Sequence, residues 1–270
     1  MLDVIKVFLH WKKQIILFTL IAILASVIIT MPFIMPPYFK STQIFYLSNP
    51  ESTDRAALFN EKEAGGVGIF GGKEDVNRFL SILTSEQVKE AVIQKFDLKK
   101  HYQFDADNPA VQLFYTKREF SGNFKAIRND LGALEVSIMD TDAQLASDMV
   151  RYIVAYSDTV YRNLLIENKG IILGLLDKQI EEKQLTATDK TNLEELQKLR
   201  LIRDQYKVSS SNTFKTIYTV EQATPAVKKT KPVRWMIVLG TAIGAFIVSI
   251  FIALLIESYK NATQQALQDN

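Results

Sequence analysis

The chain has 270 residues, of which 47% are hydrophobic and 23% are charged, and its formal net charge is +2. This small charge, with no basic-aromatic patch in the sequence, argues against a nucleic-acid-binding protein. There is no cysteine, which excludes disulfides and thiolate chemistry, and the only histidines, His10 and His101, have no neighbours at metal-site spacing. We expect no catalytic residues, no metal and no cofactor.

Two windows near the chain ends contain no Asp, Glu, Lys or Arg: residues 14–35 and residues 235–256. At about 1.5 Å per residue, each window is long enough to cross a hydrocarbon core of about 30 Å. Tryptophan, tyrosine and lysine residues at 11–13 and 259–260 are typical of interfacial anchors. We therefore predict two transmembrane helices, at 14–35 and 235–256, with a domain at 36–234 between them.

Two spans place both termini, residues 1–13 and 257–270, on one side of the membrane. Seven basic residues near the spans lie on the central side and four on the terminal side. Taken literally, the positive-inside rule would put the central domain in the cytoplasm, but the rule weakens for loops longer than about 60 residues and the first helix usually dominates. Because Lys12 and Lys13 precede the first span, we predict cytoplasmic termini and a central domain outside the cytoplasm.

The first elements of the central domain are a strand at 42–48 and two helices at 75–83 and 85–96, the second capped by Ser85. A further helix starts at Asn108-Pro109, with proline at its first position. Between the strand and the helices, residues 49–74 form a glycine-rich loop. That loop contains five glycines, Gly65, Gly66, Gly68, Gly71 and Gly72.

The end of this loop, GGVGIFGGK, has a superficial likeness to a phosphate-binding loop. The spacing fails, because Val67 stands where the motif needs glycine and Glu74 follows Lys73 in place of Ser or Thr. A mobile or partner-contacting loop is the favoured interpretation.

Two strands, 123–128 and 133–139, should form a hairpin around a turn that contains Gly132. A long helical pattern over 142–184 follows. Thr141 with Gln144 is a candidate capping box for its start, and Gly170 and Gly174 are expected to interrupt it.

A turn at 186–189 and a second helix, capped by Thr191 with Glu194 and reaching Lys207, complete a helical pair. The second helix is too short to match the whole first one, so we expect a short hairpin at about 171–207, with the rest of the first helix packed on the sheet. A strand at 213–222 should join that sheet. The predicted fold is α+β, with a small mixed sheet near the membrane, long helices and a short helical hairpin.

A proline-lysine connector, residues 223–234, leads into the second span. Because proline fixes φ and blocks helix, the connector should be a stiff extended segment whose lysines lie at headgroup level. In the span that follows, a GxxxG pattern would let another helix approach closely. The alternatives are a generic juxtamembrane linker and a chance occurrence of GxxxG. The candidate site residues of the connector and the helix are Pro225, Lys228, Lys229, Lys231, Pro232, Gly240 and Gly244.

The connector and the start of the second span resemble those of the Wzz-type chain-length determinants, or polysaccharide co-polymerases. Other segments are similar to that family in the same order: the N-terminal segment MLDVIKVFLHWKKQI (1–15), the helix SILTSEQVKEAVIQKFDL (81–98) and the strand and helix ALEVSIMDTDAQLASDMVRYIV (133–154). This sequence departs from the family pattern in its sparse connector prolines and its short predicted hairpin.

The resemblance implies a non-enzymatic protein of the bacterial inner membrane with a periplasmic central domain. It implies a closed homo-oligomeric ring, an octamer, that works with a polymerase on a lipid-linked glycan and contacts membrane lipids. It would set the chain length of O-antigen, capsule or exopolysaccharide. Because the tail after residue 256 is short, we expect no fused tyrosine-kinase domain.

Two other classes remain open. One is a membrane adaptor that activates a separate tyrosine kinase in capsule export, although Tyr259 is the only tyrosine of the predicted tail. The other is a two-span sensor, which would need a cytoplasmic output domain.

Overall fold

The computed structural model describes residues 2–49, 69–104, 108–186, 190–209 and 215–268. The chain divides into two compact units, one of Met1–Phe39 with Lys228–Asn270 and one of Lys40–Val227. The elements in chain order are α1 (Leu2–Ile29), β1 (Phe39–Leu47), α2 (Lys73–Leu83), α3 (Glu86–Lys95), α4 (Leu98–His101), α5 (Pro109–Asn123), β2 (Phe124–Arg128), β3 (Leu134–Asp140), α6 (Ala143–Thr186), α7 (Lys190–Ser209), β4 (Ile217–Glu221) and α8 (Arg234–Gln268).

The first unit is a pair of long apolar helices, α1 and α8, that run in opposite directions. Trp11 meets Glu257 at one end, and Thr30 and Trp235 line one groove at the other. Leu9–Ile29 and Arg234–Lys260 are long and apolar enough to cross a membrane.

The predicted window 14–35 is displaced from the first of these helices, which ends at Ile29. Pro32 explains this early end, because proline has no N–H to donate to the preceding turn and disfavours α conformation in the residue before it.

The second unit contains a four-stranded sheet with strand order β2-β3-β1-β4. The pairs β2–β3 and β1–β4 are antiparallel, with Ala126 opposite Val136 and Phe45 opposite Thr219. All four strands fall where the sequence predicts strands. In the turn between β2 and β3, Asn129 Oδ1 accepts hydrogen bonds from the backbone N–H groups of Leu131 and Ala133, and Gly132 has φ +84°. That φ favours glycine, as the hairpin prediction requires.

The core of this unit lies between one face of the sheet and helices α2, α3 and α6. Phe45, Val136 and Met149 are fully buried at its centre. The rings of Phe45 and Phe79 meet edge to face with centroids 5.8 Å apart, a favoured aromatic geometry. This packing confirms the α+β class with its first long helix against the sheet.

Two helix starts lie where the sequence places them. The Ser85 side chain accepts a hydrogen bond from the N–H of Val88, and Asn108 Oδ1 accepts one from the N–H of Ala110. Both residues supply the side-chain oxygen that an N-cap needs for the unpaired N–H groups of a first turn.

The cap predicted at Thr141 is wrong. Asp142 caps α6 instead, and its Oδ1 accepts hydrogen bonds from the N–H groups of Gln144, at 2.8 Å, and Leu145, at 3.1 Å. Asp140 Oδ1 accepts the N–H of Asp142 at 2.9 Å. This extra bond fixes the chain so that the helix starts one residue later than the capping-box pattern suggests.

The predicted interruption of this helix is also wrong, because α6 is continuous over 44 residues. The cost of glycine in a helix interior is about 1 kcal/mol each. Gly170 and Gly174 are therefore too few to break a helix that packs on both the sheet and α7. The cap predicted at Thr191 is wrong as well, since α7 begins at Lys190 and Thr191 lies inside it.

The end of α6 pairs with α7 as the predicted hairpin. The guanidinium of Arg200 donates to Gln184 Oε1 at 3.0 Å, Arg203 lies 3.5 Å from Asp177, and Ile180 and Leu196 are buried at the seam. Residues 187–189 of the predicted turn lie outside the described residues, as do Gly65, Gly66 and Gly68 of the glycine-rich loop.

Candidate functional site

The connector is held to the segment after α1 by backbone hydrogen bonds. The N–H of Tyr38 donates to the carbonyl of Lys231 at 3.0 Å, and the N–H of Thr230 donates to the carbonyl of Tyr38 at 2.7 Å. The Lys231–Pro232 peptide bond is cis. These bonds between residues far apart in sequence fix where α8 starts relative to the end of α1.

A groove lies directly beside this bridge. Its lining includes Met35, Pro36, Tyr38, Lys231, Pro232 and Ile237, and its volume is about 630 Å³. The lining is almost wholly apolar, and Lys231 is its only charged side chain. We call it the connector groove.

The connector carries a cluster of exposed lysines. Lys228, Lys229 and Lys231 are exposed, and none of them takes part in an ion pair with a described residue. Arg234 opens α8 and lines a second groove, of about 570 Å³, and its buried Nε has no hydrogen-bond partner among the described residues. The structure therefore brings Lys231 and Pro232 to one apolar groove, with two more cations just before them in sequence.

The remaining predicted site residues are elsewhere. Pro225 falls in the second unit, past Ala223, which is fully buried, and Thr224, whose carbonyl accepts a hydrogen bond from Ser41 Oγ. Gly240 and Gly244 are exposed on α8, and a Cβ at either would meet no atom within 4 Å. The GxxxG pattern therefore does not serve the packing of α8 on α1.

The other end of the helix pair brings a carboxylate and a cation to Trp11. Trp11 Nε1 donates to Glu257 Oε2 at 3.0 Å, and the Lys260 ammonium lies 5.0 Å from the centroid of the Trp11 ring. The tryptophan thus engages a carboxylate and a cation together, through a hydrogen bond and a cation–π contact. Trp11 and Lys260, two of the residues predicted as interfacial anchors, meet here.

The cluster of charged side chains on α3 and α5 links these two helices. Lys117 lies 2.6 Å from Glu90 and 3.2 Å from Glu86, and so links α5 to α3. The hydrogen bonds from Lys89 and then Lys117 lower the pKa of Glu86, and the bond to Glu90 raises the pKa of Lys117. These shifts arise from exposed ion pairs, which contribute little to stability.

One buried pair links α4 to the end of β3. His101 Nε2 lies 2.8 Å from Asp140 Oδ1, and Asp140 is only 1% exposed. Within the described ranges, no group of three or more His, Asp or Glu side chains is placed to hold a metal ion. The pair has no nucleophilic side chain hydrogen-bonded to the imidazole among the described residues, so it fits a structural role better than acid–base chemistry.

A groove of about 540 Å³ is lined by residues of α2 and of the middle of α6. Asp75, Arg78, Tyr161 and Asn168 are among its lining residues. Burial raises the pKa of Tyr161 to about 12, and the negative charge of Asp75 adds to this shift. The phenol therefore stays protonated at neutral pH.

The residues that sequence reasoning missed are those of the segment after α1. Tyr38 and Pro36 contribute to the connector groove, whereas the predicted first span includes residues 30–35 and no role is predicted for residues 36–38. The Pro36-Pro37 pair was an available signal, because consecutive prolines exclude helix and mark an extended segment.

The structure places the protein in the class that has two apolar terminal helices and an α+β domain between them in sequence. Residues 1–96 match the sequence profile of the family described as "Wzz: Chain length determinant protein". No curated protein matches the chain.

Among solved structures, a full-length bacterial polysaccharide co-polymerase is similar over 97% of this chain and 98% of its own, with 11% identity and a TM-score of 0.50. A fragment of WzzB, a polysaccharide co-polymerase from Salmonella Typhimurium, is 16% identical over 72% of this chain and 99% of its own, with a TM-score of 0.45.

The profile match over residues 1–96 confirms the resemblance to the Wzz-type chain-length determinants. The family's sequence pattern covers residues 1–96, and the first of the two structures shows the same fold over nearly the whole chain.

Proposed function

We propose that the protein is a non-enzymatic regulator of the chain length of a lipid-linked surface polysaccharide, namely O-antigen, capsule or exopolysaccharide. The observation that carries this proposal is the match of residues 1–96 to the chain-length determinant family. The co-polymerase fold over the rest of the chain supports it.

The regulator acts as a closed homo-oligomeric ring, an octamer, beside a separate polymerase in the bacterial inner membrane. A ring requires a heterologous interface, in which two different faces of the subunit meet and the rotation closes. Purification in detergent followed by light scattering should give a mass of several subunits. A strict monomer that persists after reconstitution into lipid would contradict the ring.

Deletion of the gene tests the function directly. Surface polysaccharide run on a gel should keep its polymer but lose the preferred length, because a regulator sets the distribution and does not form the bonds. Complementation with the intact gene should restore the ladder. Complete loss of exported polymer would instead favour a role in export.

In this proposal the central domain is periplasmic and both termini are cytoplasmic. The absence of cysteine makes the test simple, because one introduced cysteine is the only thiol. Leu131, 81% exposed in the β2–β3 turn, and Tyr259, 75% exposed on α8, suit this purpose. In intact spheroplasts, a membrane-impermeant thiol reagent should label Leu131→Cys and spare Tyr259→Cys until the cells are lysed. The opposite pattern would reverse the orientation.

A further inference from the structure

The connector groove combines an apolar lining with one cation, Lys231, among its described lining residues. Its volume, about 630 Å³, lies in the range of about 300–1,000 Å³ that is typical of sites for small molecules. Met35, Pro36 and Ile237 supply an apolar surface, and Lys231 supplies a charge at its edge. A ligand that matches this distribution has an apolar chain and an anionic head.

The charges around the groove have no compensation within the segments that build it. Residues 4–50 and residues 222–256 contain no Asp or Glu. Four cations, Lys228, Lys229, Lys231 and Arg234, lie within seven residues of the second segment. A negative charge at the groove therefore has to come from outside these segments, and the positive end of the α8 dipole favours it further.

The opposite end of the same helix pair gives an internal comparison. There, the groove beside Trp11 has Glu257 as a neighbour, and the ammonium of Lys260 lies over the tryptophan ring. That end therefore has a carboxylate, Glu257, among its cations. The connector end alone carries a cationic cluster without a carboxylate among the residues described.

We infer that the connector groove binds one anionic phospholipid, with an acyl chain against Met35, Pro36 and Ile237 and the phosphate beside Lys231. Lys228 and Lys229, just before it in sequence, add to the attraction for the anionic head. A zwitterionic phospholipid would leave the cluster uncompensated, whereas an anionic head group supplies the missing charge. The inference requires that the two helices span a membrane, but it does not depend on the role in chain-length regulation.

Native mass spectrometry of the full chain in mild detergent tests this site, with phosphatidylglycerol and phosphatidylcholine added at equal concentration. We expect one phosphatidylglycerol retained per chain, in clear preference to phosphatidylcholine. A basic residue near a lipid surface contributes about 1 kcal/mol, so the triple variant Lys228→Gln, Lys229→Gln, Lys231→Gln should lower this preference by roughly 10- to 100-fold. These lysines are exposed and make no ion pairs with described residues, and circular dichroism checks that the variant keeps its helix content.

A charge-matched variant and a groove-filling variant distinguish binding at this site from a non-specific attraction between anionic lipid and the lysines of the chain. Lys12→Gln, Lys13→Gln, Lys260→Gln removes the same charge at the other end and should leave the preference intact. Ile237→Trp, which fills the groove, should weaken retention, and Ile247→Trp, on an exposed position of α8, should not.

Three results would overturn the inference. The first is equal retention of the two lipids, and the second is an equal loss of preference in both lysine variants. The third is that soluble glycerol phosphate competes with phosphatidylglycerol for the Ile237→Trp variant as well as for the parent. This result would indicate a phosphate site with no place for a lipid chain.

Discussion

Asp140 is a single carboxylate on which three segments converge. Its Oδ1 accepts the N–H of Asp142 at 2.9 Å and lies 2.8 Å from His101 Nε2 and 3.4 Å from Thr141 Oγ1. The oxygen thus joins the end of β3, the start of α6 and helix α4. Because the residue is almost fully buried, loss of the carboxylate would leave these donors without a replacement from water.

We therefore expect Asp140→Ala to lower the free energy of unfolding by about 1–3 kcal/mol, the usual cost of unpaired buried polar groups. Thermal unfolding of the purified chain, followed by circular dichroism, measures the change. Asp130, exposed in the β2–β3 turn, is the matched control, and Asp130→Ala should stay within about 0.5 kcal/mol of the parent. Equal effects of the two substitutions would contradict the role of Asp140.

Tyr161 predicts a pH dependence in the alkaline range. An unfolded phenol has a pKa of about 10, and burial raises that of Tyr161 to about 12. Between these values the unfolded state loses the proton while the folded state retains it, so the folded state binds more protons and stability falls as pH rises. Below pH 10 both states are protonated and the group contributes no slope.

The free energy of unfolding should fall by an amount that approaches about 1.4 kcal/mol per pH unit between pH 10 and 12. Tyr161→Phe removes the ionisable group, so the slope of its unfolding free energy over this range should be smaller than that of the parent by this amount. Tyr115→Phe, which removes a phenol that is 42% exposed, serves as control. Parallel curves for Tyr161→Phe and the parent would show that this phenol is not the cause.

At the scale of elements, α6 carries two glycines that the fold tolerates but does not require. A methyl group at Gly170 or Gly174 would meet open space, and both residues lie in a continuous helix. Alanine lowers the entropy cost of helix formation by about 1 kcal/mol per site. Gly170→Ala and Gly174→Ala should therefore each raise the unfolding temperature of the chain.

Gly132 is the control with the opposite sign, since its φ of +84° strains any residue with a Cβ. Gly132→Ala should lower the unfolding temperature. If Gly170→Ala and Gly174→Ala were also destabilising, the glycines would have a packing or flexibility role that the open space around them does not suggest.

The sequence predicted those elements whose signals are local. Ser85, Asn108-Pro109 and the Asn129–Gly132 turn each combine a residue type with a position that a single element requires. The start of α6 could not be fixed in this way, because Thr141 and Asp142 are both acceptable caps. The choice depends on Asp140, whose position in turn involves His101, far away in the sequence.

The candidate site also has some features with local sequence signals and some that depend on residues far apart in sequence. The cations of the connector and the GxxxG pattern are visible as residue types at close spacing. The connector groove is not visible in the sequence, because it forms only when the segment after α1 lies beside residues 231–237. Pairing between segments so far apart in sequence has no signature within either segment alone.

At the scale of the whole molecule, the exposed glycines of α8 favour an assembly of several chains. Gly240 and Gly244 lie in open space on a helix whose packing on α1 uses other residues. A face of small residues allows the close approach of a second helix. In the proposed ring, this helix belongs to a neighbouring copy.

We expect Gly240→Leu with Gly244→Leu to reduce the mass of the detergent-solubilised oligomer, because leucine side chains prevent close approach. The matched control is Gly240→Ala with Gly244→Ala, which gives a similar gain in helix propensity and keeps the face small. An unchanged mass in both variants would mean that the chains associate only through their α+β domains.

The unbroken helix α6 has a mechanical consequence. The first half of α6, up to Tyr161, is packed in the core. From Leu165 to Thr186 the helix extends for about 30 Å, and α7 is its main packing partner there. Because the helix is continuous, a tilt of its first half also moves its second half. A tilt of about 10° at the clamped half would carry the hairpin tip sideways by roughly 5 Å, given the length of the overhang. Small adjustments in the packing of the sheet are thereby magnified at the far end of the domain.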